Sequence, residues 1–69
     1  MSATKFSVPE ANLVAIYKGK TRGITIQSIV SVLNNINDKE MTETMLSTIE
    51  KLANITDKEF EDTNFIYTD

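Results

Sequence analysis

The sequence predicts an all-α protein, a small compact bundle of three main helices with a short fourth helix and an apolar C-terminal tail. Three observations carry that expectation. Apolar residues recur at helical spacing along the chain. Three Ser/Thr/Asn-x-x-Glu boxes, at Ser7, Asn37 and Thr56, stand where helices would start. No linker, repeat or low-complexity tract divides the 69 residues. The chain therefore reads as one helical domain, 1–69, with residues 1–6 expected to be disordered and residues 64–69 forming the tail.

The first helix is expected over Val8 to Lys18. Ser7 and Glu10 form its capping box, each side chain bonding the other's backbone amide, and Pro9 sits in the first turn, where a missing amide costs nothing. Leu13, Ile16 and Tyr17 share one face, and Gly19 reads as a left-handed stop. The second segment has two readings. Ile24, Ile26, Val30 and Val32 alternate as in a strand, with β-branching in support. Against this, Ile26, Ile29, Val30, Leu33 and Ile36 make one helical stripe opposite Gln27, Ser28, Ser31, Asn34 and Asn35. With no turn signal between Ile24 and Leu33, a strand of that length would be long, so we take a helix capped by Thr21.

Asn37 and Glu40 form the box proposed for the third helix. Met41, Met45, Ile49 and Leu52 follow on one side, widened by Leu46 and Ala53, while Glu43, Ser47, Glu50 and Lys51 are placed in water. Thr56 and Glu59 open the fourth helix, from Asp57 to about Asp62. Ile55 before the cap and Phe60 four positions after it match a hydrophobic staple. The expected core is Leu13, Ile16, Tyr17, Ile26, Ile29, Val30, Leu33, Met41, Met45, Ile49, Leu52 and Phe60.

Composition narrows the chemistry. A chain this short buries only about 60% of the surface that its unfolded form exposes, and its core supplies roughly 3–5 kcal/mol. It has no cysteine and no histidine, so disulfides, thiolate zinc sites and the usual neutral-pH proton shuttle are excluded. No cofactor or metal is expected, and an enzyme is the least favoured class, because catalysis needs a positioned nucleophile or acid–base pair in a pocket. The first residues lack a secretory pattern, and the uncharged stretch Ile24 to Asn37 is too short and polar to span a bilayer. A cytoplasmic protein with no membrane role is expected. The net charge of −3 argues weakly against general nucleic-acid binding. Its distribution is uneven: residues 1–23 carry Lys5, Lys18, Lys20 and Arg22 against Glu10 alone, and the other nine acids face three lysines beyond.

The run Phe6-Ser-Val-Pro-Glu-Ala-Asn-Leu-Val-Ala-Ile-Tyr17, followed by Arg22, resembles the front of the transposon-transfer assisting proteins. That family reads Phe-Thr-x-x-Glu-x-Asn-Leu-Met-Cys-Ile-Tyr, then a short turn and an Arg. The rear, Lys51-Leu-Ala-Asn-Ile-Thr-Asp-Lys-Glu-Phe60, is similar to the family's Lys-Leu-x-x-Met-Thr-Asp-x-Glu-Phe. The likeness runs from about Phe6 to Glu61. Val14 and Ala15 replace the Met-Cys pair, Lys18 replaces an acid, and Gly23 stands where a better helix former is usual. The resemblance implies a small accessory protein of conjugative transposons, without catalytic residues, working beside proteins of the transfer machinery.

Candidate sites are few, and each has a plainer reading. Lys18, Lys20 and Arg22 crowd the first turn and could meet phosphate or an acidic partner, or simply form a solvated loop. Gln27, Ser31 and Asn34, with Ser28 and Asn35, make a charge-free face suited to docking, or to local amide bonding under neighbouring helices. Phe65, Ile66 and Tyr67 could be a recognition tail, but a latch on the small core is favoured. Met41 and Met45 read as core filler, and Glu59, Glu61 and Asp62 fit no calcium-loop pattern. The expected function is an adaptor docking on a protein of the conjugation or transposition machinery. The alternative is a helix-turn-helix-like DNA-binding accessory at the transfer origin, with Arg22, Thr25, Gln27 and Ser28 at the start of a reading helix. A structural role in an oligomer is a third reading, and the oligomeric state stays open.

Overall fold

The computed structural model describes residues 6–62. Within them the chain forms four helices: α1 (Val8–Tyr17), α2 (Arg22–Leu33), α3 (Lys39–Asn54) and α4 (Asp57–Asp62). No strand occurs among the described residues, so Ile24 to Leu33 is helical. The expectations for residues 1–5 and for the tail 64–69 lie outside the described residues. Phe6, placed with the disordered leader by the sequence reading, is half-buried and packs against the core.

Each helix start has a local cause. At α1 the capping box is complete: the Glu10 amide donates to Ser7 Oγ at 3.3 Å, and the Ser7 amide donates to Glu10 Oε1 at 2.8 Å. Thr21 caps α2 by accepting from the Ile24 amide at 3.1 Å. At α4 the Thr56–Glu59 box closes with two bonds of 3.0 Å, and the staple residues Ile55 and Phe60 are both buried in the core. The start of α3 differs from expectation. Its cap is Asp38, whose carboxylate accepts from the Met41 amide at 3.2 Å. An anionic cap one residue later than Asn37 also meets the positive helix end, and it moves Glu40 out of the position that a box requires.

Gly19 also departs from its assigned role. No glycine among the described residues has a positive φ, and α1 ends at Tyr17 with Lys18 at φ −59°, ψ 121°. Glycine is needed there for closeness instead. A Cβ on Gly19 would stand 2.5 Å from Ile24 Cγ2. The Gly19 amide donates to Thr25 Oγ1 at 2.9 Å, and that hydroxyl donates to the Thr21 carbonyl at 2.9 Å. One buried threonine thus ties the α1–α2 turn to the first turn of α2, and its polar atom is satisfied.

The core is Leu13, Val14, Ile29, Met45, Leu52, Ile55 and Phe60, with Tyr17, Ile26, Leu33 and Ile49 among the partly buried residues around it. Three expected core residues lie outside: Ile16 is 54% exposed, Met41 39% and Val30 37%. The reason is a small rotation of each stripe. In α1 the buried positions are Glu10, Leu13 and Val14, with Tyr17 next in line, the i, i+3, i+4, i+7 pattern, and Ile16 falls beside it. In α2 the inward line runs Thr25, Ile29, Val32 and Leu33, continued beyond the helix by Ile36, and Val30 falls beside it. In α3, Met45, Thr48 and Leu52 are buried. Thr48 fits because its hydroxyl donates to the Thr44 carbonyl at 2.7 Å. Leu46 and Ala53, expected to widen that stripe, are exposed.

Candidate functional site: two internal polar clusters and an open apolar groove

The first polar cluster joins α1 to α3. Glu10 is 5% exposed. Its Oε1 accepts from Lys51 Nζ at 2.6 Å and from the Ser7 amide at 2.8 Å, while its Oε2 accepts from the Ser47 hydroxyl. Burial alone would raise this carboxyl's pKa. The Lys51 ammonium, the Ser47 hydroxyl and the Ser7 groups outweigh that and bring it from 4.5 to about 2. Ser47 and Lys51, assigned to water by the periodic pattern, are half-buried partners of α1. The ammonium also lies 6.0 Å from the centroid of the Phe6 ring.

The second cluster fixes the end of α3. Arg22 Nη1 donates to the carbonyls of Leu52 (2.9 Å) and Ala53 (3.2 Å), and its Nε donates to Asp57 Oδ1 at 3.0 Å. Helix ends leave carbonyls without helical partners, and a guanidinium fork is the side chain best shaped to collect two of them while pairing a carboxylate. Lys18 stands with its ammonium 5.2 Å above the Phe60 ring. Of the cations assigned to a phosphate-binding turn, Arg22 is thus turned into the fold, and Lys18 lies against the core phenylalanine. Lys20 is exposed.

Most of the proposed charge-free face lies on the surface, with Ser28 half-buried. Gln27, Ser31 and Asn34 are exposed, as is Asn35, whose amide donates to the Ser31 carbonyl at 3.3 Å. Neither these residues nor the cationic turn lines the apolar depression beside α1. That depression is an open groove of about 510 Å³ between α1 and the front of α3, with Pro9, Leu13, Ile16 and Met41 as its apolar lining and Asp38 and Glu40 at its edge.

Sequence reasoning missed three of these features, although each had a signal. Glu10 lies on the 10-13-14-17 line, so a carboxylate stood on an apolar stripe and required a buried cation. Arg22 occupies the first position of a helix, where a cation opposes the dipole, so its charge had to serve elsewhere. Ile16 and Met41 were counted as core, although the stripes that close the bundle run without them. Among the described residues no group of three metal-ligating side chains occurs, and no helix is long and apolar enough to cross a membrane.

Among the described residues these features define a small domain of four helices whose Glu10 and Arg22 charges serve its own architecture and whose apolar groove is uncovered. The family model described as "Putative transposon-transfer assisting protein" matches residues 6–67. The chain belongs to this family of transposon-transfer assisting proteins. No curated protein and no solved structure matches it.

Proposed function

We propose that the protein is a non-catalytic, cytoplasmic accessory factor of a conjugative transposon that docks on a protein of the transfer machinery. Family membership supports the link to transposon transfer. The observation that carries docking is the α1–α3 groove, where Ile16 and Met41 remain 54% and 39% exposed in a domain otherwise short of apolar area to bury. Grooves of this kind gain their affinity from apolar burial on a partner. The non-catalytic reading rests on the absence of His and Cys from the chain and on the buried Glu10 carboxylate being enclosed in an internal ion pair. Arg22, central to the DNA-reading alternative, has its guanidinium engaged by Leu52, Ala53 and Asp57, which weighs against that alternative.

The test is affinity purification of the tagged protein from donor cells carrying the element, alongside Ile16→Glu. The expected result is recovery of a relaxase, coupling or mating-pore protein by the wild type and its loss in a variant with an unchanged helical spectrum. Partner-free preparations of the wild type would overturn the docking reading.

A further inference from the structure

Resting on the docking reading, we infer that the α1–α3 groove takes a cationic amphipathic helix of the partner protein. The lining has two parts. Pro9, Leu13 and Ile16 belong to one face of α1, and Met41 closes the other side from α3. Apolar side chains spaced i, i+3 or i+4, i+7 along a helix fit such a cleft, and a methionine wall adapts to their shapes.

The polar groups of the groove do not suit a small polar ligand, which needs several convergent donors and acceptors. The Thr44 hydroxyl donates to the Glu40 carbonyl at 3.0 Å, Asp38 holds the Met41 amide, and Asn12 is engaged as well. Selection is then left to apolar contact and to charge. Among the described residues, the charged ones lining the groove are Asp38 and Glu40, both acidic, with no Lys or Arg beside them. Glu40 is exposed and forms no ion pair among the described residues.

That negative edge decides between occupants. A nucleic acid or an anionic lipid surface would bring phosphates against carboxylates. The chain's own segment Phe65-Ile-Tyr-Thr-Asp69 would bring one more acid, and a second copy, acidic overall at −3, is an outcome that crosslinking from Ile16 reads directly. A helix with apolar residues on one side and Lys or Arg flanking them satisfies both parts of the groove.

The test places a photo-crosslinking amino acid at Ile16, or at Asn34 as the control on another face, in donor cells carrying the element. Crosslinked peptides are identified by mass spectrometry. From Ile16 the account expects a lysine- or arginine-flanked amphipathic segment of a transfer protein. Calorimetry with that segment as a synthetic peptide should show binding weakened about two- to fivefold by Glu40→Lys at low salt, as for an exposed ion pair. A peptide with its cations replaced by Glu should recover affinity in the same variant. Crosslinks from Ile16 to a second copy, to residues 63–69 or to an acidic segment would overturn the inference, as would a Glu40→Lys variant that binds the peptide unchanged. Crosslinking to a transfer protein from Asn34 alone would overturn the groove assignment and leave docking standing. No crosslink from either position, together with partner-free purification, would remove both.

Discussion

Replacing Glu10 by Gln tests how much of the fold hangs on one buried charge. Glu10 is 5% exposed, and its carboxyl is lowered from 4.5 to about 2. Burial by itself acts the other way, so the Lys51, Ser47 and Ser7 bonds must exceed that penalty. A depression of this size corresponds to about 3 kcal/mol of stability at neutral pH. Lys51 keeps 34% of its side-chain surface exposed, so solvent screens the pair, and about 2 kcal/mol is the working figure. The folded pKa lies below the unfolded one. The contribution is therefore complete above the unfolded value, near pH 4.5, and is lost as pH falls through the folded value, near 2.

Thermal melts followed by circular dichroism at several pH values, on wild type and Glu10→Gln in parallel, read this directly. At pH 7 the variant should melt about 8–16 °C lower, the shift that about 2 kcal/mol produces in a domain this small. The gap should narrow from about pH 5 down to pH 2, because a protonated Glu10 and a glutamine carry the same charge. Subtracting the two curves removes the acid sensitivity of the other carboxylates. A gap that is absent at pH 7, or that stays constant down to pH 2, would refute the reasoning. So small a domain has roughly 3–5 kcal/mol in total, so losing this pair leaves the fold near its limit.

Three further outcomes follow from the same geometry. Gly19→Ala should destabilise by about 1–3 kcal/mol through overpacking on Ile24, with most of the cost relieved in an Ile24→Ala background; a full cost in both backgrounds, by urea titration, would return Gly19 to a purely conformational role. Gly23→Ala, whose new Cβ would make only an ordinary contact with Thr21 Oγ1 at 4.0 Å, should stabilise α2 by about 0.5–1 kcal/mol, read as a higher urea midpoint. Arg22→Ala should cost about 2 kcal/mol by stripping the α3 carbonyls and Asp57 of a charged donor, and Arg22→Lys should recover little of it, since an ammonium lacks the guanidinium fork. Equal melting of the Arg22→Lys variant and the wild type would contradict that.

Much of the fold was legible because its signals were local. Ser7–Glu10, Thr21 and Thr56–Glu59 cap where their chemistry requires, and the Ile55–Phe60 staple reports contacts within six residues of chain. What escaped depended on contacts between helices. Periodicity marks an apolar side of α1 or α3 but not its rotation to the nearest residue, so Ile16, Val30 and Met41 were drawn inward while Thr25 and Thr48 were overlooked. A threonine can bond its own preceding turn, so its hydroxyl is no bar to burial. Lys51 and Arg22 reach partners 41 and 30 or more residues away in sequence, and no window on one helix reveals such pairs. The groove escaped for the same reason, since it exists only where α1 lies beside the front of α3.

The most direct test of the account is the transfer frequency of the element in a mating assay when its own copy of the gene carries Ile16→Glu. Ile16 is more than half exposed, so the fold should survive the change, as a matching melt would verify. Docking through the groove predicts a clear departure from wild-type transfer in that strain, with Asn34→Glu on the other face leaving it unaltered. Wild-type transfer with Ile16→Glu, or an equal effect of Asn34→Glu, would contradict it.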